Sequence, residues 1–108
     1  MNTIYIDVRE PDEFKNTHLK ESINIPLSIF QNSVDAVKAL AQGMNVILLC
    51  QSGTRAGNAY NLIDSKDNIV VFEGGLNKWQ DEMLLVRGQK QKLSIMRLVM
   101  IAAGLLVL

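Results

Sequence analysis

The spacing of apolar and polar residues divides the chain into short alternating elements. Thr3 to Val8 (Thr-Ile-Tyr-Ile-Asp-Val) is rich in β-branched and aromatic residues, which predicts a strand, and Arg9-Glu10-Pro11 supplies the turn that ends it. Pro11 suits the first turn of a short helix over Asp12 to Asn16, whose acidic residues lie near its positive end. Ser22-Ile23-Asn24-Ile25 alternates polar and apolar before Pro26, as a short strand does. Helical spacing returns at Val34, Val37, Leu40 and Ala41, with Gly43 closing that helix. Asn45 to Leu49 is a nearly continuous apolar run, the mark of a strand covered on both faces. Ala56, Ala59, Tyr60 and Ile63 define one face of a further helix, and Ile69 to Phe72 is another buried strand. Gly74-Gly75 then turns the chain into a helix bearing Leu76 and Trp79. This alternation predicts an α/β fold with a central, mostly parallel sheet and helices on both faces. In such sheets ligands bind beyond the carboxyl ends of the strands.

The pattern changes near the end. Residues 1–86 read as one domain, 87–97 as a basic linker carrying Arg87, Lys90, Lys92 and Arg97, and 98–108 as eleven apolar residues. A helix of that length covers only roughly 17 Å, and spanning a bilayer takes about twenty residues. The segment is therefore expected to be the start of a truncated transmembrane helix. The basic residues before it would keep the domain on the cytoplasmic side of the cell inner membrane. Apolar contacts of that segment would also favour a homo-oligomer.

Composition narrows the chemistry. Eleven acidic and eleven basic residues cancel, which removes the electrostatic footprint of a nucleic-acid binder. A single cysteine makes no internal disulfide, and the first residues lack the basic and apolar regions of a secretory signal, so a reduced thiol is expected. One Cys and one His are too few for a typical zinc site, and neither a metal nor a cofactor is expected.

That single cysteine, Cys50, opens the stretch Cys50-Gln51-Ser52-Gly53-Thr54-Arg55 between a buried strand and a helix. The positive end of the helix, the N–H groups of Gln51 to Arg55 and the Arg55 guanidinium would together favour thiolate over thiol. Gly53 permits the backbone angles a concave loop needs, while Ser52 and Thr54 add hydroxyl donors. A ring of donors around a sulfur suits a small oxyanion or a polysulfur group presented to a nucleophile.

Three segments, Asp7-Val8-Arg9 with Glu13-Phe14 and His18-Leu19-x-x-Ser22-Ile23-Asn24-Ile25-Pro26, the Cys50 to Arg55 loop, and Phe72-Glu73-Gly74-Gly75-Leu76-x-x-Trp79, carry a family resemblance. With them the chain resembles single-domain rhodaneses, including bacterial members anchored by a C-terminal transmembrane segment. The resemblance implies a thiosulfate sulfurtransferase in which Cys50 takes the sulfane sulfur of thiosulfate, carries it as a persulfide held by the loop amides, and delivers it to cyanide or a thiol. Gln51, Ser52, Gly53, Thr54 and Arg55 would bind the donor, with Arg55 orienting it. Cysteine phosphatases of similar fold use Cys-x5-Arg, whereas Cys50 and Arg55 make the tighter Cys-x4-Arg. Phosphatase or arsenate-reductase chemistry, or a redox-sensing thiol taking a nitrosyl or glutathionyl group, are the alternatives. The family usually has glycine where Thr17 stands and often serine where Ala56 stands.

Other residues have structural readings. His18 is expected to be structural, Asp7 and Arg9 to pair and fix a turn beside the loop, and Trp79 to anchor the core. Glu73 reads as a solvated turn residue, and Met83, Met96 and Met100 as packing or lipid contacts.

Overall fold

The computed structural model describes residues 2–80, 85–87, 102–103 and 105–106. Four strands form one parallel sheet: β1 (Asn2–Asp7), β3 (Ile23–Asn24), β4 (Met44–Leu49) and β5 (Ile69–Val71), in the order β3-β1-β4-β5. The expected α/β architecture with a central parallel sheet is present. Register places Asp7 of β1 beside Leu49 of β4, so both strands deliver their carboxyl ends to the same edge.

Strand alternation sorts the core. Ile6 and Val8, Val46 and Leu48, and Ile69 share a face with Phe30 of α2 (Leu27–Phe30), Val37 and Ala41 of α3 (Val34–Ala41), and Ala56 and Ala59 of α4 (Thr54–Asn61). Leu49 and Leu19 are also fully buried but stand apart from that cluster. On Leu49's side of the sheet, Trp79 packs against Tyr5 edge to face at 5.9 Å and against Phe72 at 5.4 Å. Trp79 is thus the aromatic anchor expected of it, although on a different element. Gly75–Lys78 forms one 3-10 turn, and Trp79 follows it in extended backbone. A single turn gives no helical periodicity to read, which is why the helix predicted there is shorter than expected.

Several short elements escaped the periodicity. Among them are the turn at Leu27–Phe30 and the strands β2 (Thr17–Leu19) and β6 (Leu85–Arg87), which pair antiparallel apart from the main sheet. His18 therefore lies in a strand. Arg87, assigned to the linker by the charge pattern, ends β6 opposite Thr17. Most of the remaining linker and apolar segment, with Met83, Met96 and Met100, lies outside the described residues. Of residues 98–108, only the parallel pair β7 (Ala102–Ala103) and β8 (Leu105–Leu106) is described. Among the described residues no helix is long and apolar enough to cross a membrane.

Gly75 sets the position of the segment after β5. Its φ is +60°, and a Cβ there would lie 2.7 Å from the carbonyl carbon and oxygen of Gln51. Only glycine allows this approach without strain. Gly75→Ala is expected to destabilise the domain by more than about 2 kcal/mol in urea unfolding. Gly57→Ala, in α4 with nothing within 4 Å of the added Cβ, should instead be neutral or stabilising. A Gly75→Ala midpoint equal to wild type would refute the close-approach account.

Candidate active site at the end of strand β4

Cys50 follows directly on β4, and its backbone leads into a tight loop that closes at Gly53. Gly53 adopts φ +104° as the residue before α4, the left-handed geometry anticipated for the loop. The Cys50 side chain has no exposed surface. Its Sγ accepts hydrogen bonds from the N–H groups of Gly53 at 3.0 Å and Ala56 at 3.3 Å. The donors on the sulfur are thus backbone amides at the start of α4, where the partial positive charge of a helix end is greatest. Alanine at position 56 supplies its N–H to the sulfur while its fully buried methyl joins the core, so the missing serine hydroxyl leaves this contact intact.

The expected binding residues divide by where their side chains go. Gln51 accepts from Arg9 Nη1 at 3.3 Å and donates to Asn77 Oδ1 at 2.7 Å, bridging the loop to both flanks. Ser52 and Thr54 are exposed, and their hydroxyls face each other at 3.5 Å instead of turning to the sulfur. With Gly53 they line an open cavity of about 560 Å³ that also touches Tyr60, Val70 and Glu73. The hydroxyls are therefore not donors to Sγ in this structure, because each side chain leaves the loop on its solvent side. Glu73 is exposed, as a turn residue should be.

Arg55 makes a two-point ion pair with Glu13 of α1 (Pro11–Asn16). Nη1 donates to Oε1 at 2.6 Å and Nη2 to Oε2 at 3.0 Å. Glu13 is itself held in place, since the N–H of Glu10 donates to Oε1 at 3.0 Å in a capping box. The Glu13 side chain carries no site role in the sequence reading. One signal was available: an acid in the first turn of a helix that starts beyond β1, the strand next to β4.

Asp7 and Arg9 pair as expected. The Arg9 Nε and Nη2 groups grip the Asp7 carboxylate, with Nη2 at 2.8 Å, and Nη2 also donates to the Thr17 carbonyl. Both residues are almost fully buried, so the pair is fixed. Thr17 fits without glycine because its φ of −154° is ordinary extended backbone. His18 stacks on Phe14 at 3.9 Å, and its Nδ1 lies 2.7 Å from the Phe14 carbonyl oxygen, so that nitrogen carries the proton. Its role is structural, without contact to Cys50.

A cysteine at the carboxyl end of a parallel strand, its sulfur bonded by the amides of a Cys-x4-Arg loop, is matched by the family comparison. Residues 2–82 fit the rhodanese-like domain. The chain belongs to the rhodanese-like family. An uncharacterized Synechocystis sp. protein is 40% identical over 108 residues, covering 97% of this chain and 59% of that protein. The thiosulfate:glutathione sulfurtransferase of Saccharomyces cerevisiae is 29% identical over 90 residues, covering 72% of this chain and 65% of that enzyme. A solved Escherichia coli rhodanese with anions superposes with a TM-score of 0.61 at 26% identity, covering 80% of this chain and 99% of that one. The rhodanese-like chain spans about three fifths of the length of these two sequence relatives.

Charge in this rhodanese-like site follows from the pairs. The Arg55 hydrogen bonds, opposed by partial burial and aided by the Glu10 amide and the charges of Arg55 and Arg9, lower the Glu13 carboxyl from 4.5 to about 2. The same contact raises Arg55 above its ordinary value, with a smaller contribution from Cys50. A lowered carboxyl stabilises the fold fully above pH 4.5 and loses that contribution as pH falls through about 2. Both side chains are about a third or more exposed, so solvent screens the pair and its titration is a better readout than global stability. Carboxyl NMR titration should find Glu13 near pH 2 in the wild type and displaced upward, toward 4.5, in Arg55→Ala. An unchanged midpoint in the variant would rule out the pair.

Proposed function

We propose that this domain is a sulfurtransferase that moves a sulfane sulfur from thiosulfate or a similar donor to a thiophilic acceptor, such as cyanide or a thiol, through a Cys50 persulfide. The observation that carries the reading is the pair of backbone N–H groups, from Gly53 and Ala56, directed at Cys50 Sγ. Such donors stabilise negative charge on sulfur whether it is carried by the thiolate or by the outer atom of a persulfide. The named activity of the yeast relative and the anions in the Escherichia coli rhodanese structure support the same reading.

Each half-reaction is a displacement at sulfur. The Cys50 thiolate attacks the sulfane sulfur of thiosulfate, and a new sulfur–sulfur bond forms as the bond to the sulfite sulfur breaks. Sulfite leaves with the electron pair. Cyanide or a thiolate then attacks the outer sulfur of the Cys50 persulfide, and Cys50 departs as thiolate, restoring the enzyme. Nucleophile and leaving group are anions in both steps, so no general base is required. This accords with His18 being tied to Phe14. The short Cys-x4-Arg spacing supports sulfur rather than phosphoryl transfer.

Intact-mass analysis after incubation with thiosulfate tests this directly. The wild type should gain one sulfur atom, cyanide should remove it as thiocyanate, and Cys50→Ser should gain nothing while remaining folded. A Cys50→Ser variant that still transfers sulfur, or a folded wild type with a free thiol that never gains it, would overturn the proposal.

A further inference from the structure

Strand β5 stands at one end of the sheet, so among the described residues one of its sides has no neighbouring strand. Which backbone groups face that side follows from the register. The N–H of Val46 donates to the Asn68 carbonyl, and the N–H of Phe72 to the Leu48 carbonyl. Alternate residues of a strand turn their backbone groups to the same neighbour, so Asn68, Val70 and Phe72 face β4, while Ile69 and Val71 face outward. The Ile69 N–H is taken by the Lys66 carbonyl at 3.1 Å. The Ile69 carbonyl and both backbone groups of Val71 are left without a partner among the described residues.

Folds commonly blunt such an edge with a proline, a bulge or a charged side chain. Ile69-Val70-Val71-Phe72 contains neither proline nor charge, and the pairing of β4 with β5 runs without a register shift. Val70 is β-branched and 55% exposed. The edge also borders a hollow. The open cavity of about 560 Å³ beside the cysteine loop takes part of its lining from Val70 and Val71 of β5 and part from Gly57 and Tyr60 of α4. A Cβ at Gly57 would meet nothing within 4 Å, so this glycine relieves no clash inside the fold and instead leaves room in the cavity. Among the described residues Glu73 is the one charged side chain on the lining, and it is exposed.

We propose that the β5 edge and this cavity form a strand-addition site for an extended segment of a partner protein, with a basic side chain of that segment meeting Glu73. A peptide backbone offers the donors and acceptors that pair with the free groups of Ile69 and Val71. Its alternate side chains enter the space at Gly57 or lie over Val70. Charge favours a partner protein over a second copy, because the same strand of a second copy brings no cation to Glu73: from Ile69 to Glu73 its charged residue is again Glu73. The site stands on the fold, apart from the sulfur chemistry proposed for Cys50.

The test titrates the isotope-labelled full chain with the blocked hexapeptide Thr-Val-Lys-Val-Thr-Val and follows amide proton–nitrogen correlation spectra. Saturable shifts are expected at Val71, Gly57 and Tyr60. A copy of the peptide N-methylated along its backbone keeps the side chains, loses the donors, and should not bind. Val71→Pro removes an outward N–H, a change that a sheet edge tolerates, and should weaken binding roughly threefold to tenfold, the scale of one hydrogen bond. Gly57→Leu fills the cavity and should weaken it further, while Glu73→Lys should reverse the preference for this peptide over its counterpart with glutamate in place of lysine. Thermal unfolding checks that each variant is folded, and the methylated peptide needs no variant at all. Absence of saturable shifts at these amides, or equal binding of the methylated peptide, would overturn the proposal. So would shifts of the same amides on raising the protein concentration alone, which would assign the edge to a second copy.

Discussion

The site depends on one backbone contact, the seating of the Gly75 turn against the first two residues of the cysteine loop. Leu76 N–H donates to the Cys50 carbonyl and Asn77 N–H to the Gln51 carbonyl, each at 2.9 Å. In a planar trans peptide the carbonyl of one residue and the N–H of the next point in opposite directions. Drawing both carbonyls outward therefore turns the N–H groups of Gln51 and Ser52 away from the Gly75 turn. The left-handed Gly53 completes the curve and brings its own N–H onto Sγ. Amide direction around the sulfur is thus set from outside the loop, by a glycine whose missing side chain lets two backbones meet.

A second constraint is charge balance. Because Asp7 and Glu13 neutralise the neighbouring guanidiniums, the polar groups directed at Cys50 Sγ are backbone N–H dipoles and not a free cation. Dipoles fixed by a fold need no reorganisation when charge moves from one sulfur to the next. The two arginines beside the loop serve geometry: Arg9 ties β1 to the Thr17 carbonyl and to Gln51, and Arg55 ties α4 to α1. The surroundings of the loop are therefore locally neutral.

Much of this was legible in the sequence because it depends on local patterns. The apolar run before Cys50 marked a strand buried on both faces, and Gly53 and the Gly74-Gly75 pair marked backbone that only glycine adopts readily. The Asp7–Arg9 pair, two residues apart, was expected on the same ground. Contacts between distant segments were not legible. β2 and β6 are three residues each, too short for a period, and come together only in the folded domain. Glu13 meets Arg55 across 42 positions, and no spacing rule connects an acid in one short helix to the first turn of another. Ser52 and Thr54 misled for a related reason: a hydroxyl in a loop signals capacity to donate, but the loop's curvature decides which way it points.

If Cys50 carries transferred sulfur as proposed, the N–H groups of Gly53 and Ala56 are placed to hold its charge. Amide proton–nitrogen correlation spectra of the domain, recorded before and after loading with thiosulfate, address it most directly. The signals of Gly53 and Ala56 should move, together with others of the loop, while those of Leu76 and Asn77 hold nearly still. Unmoved Gly53 and Ala56 signals in a protein shown to carry the extra sulfur would contradict it, as would changes spread through the whole sheet.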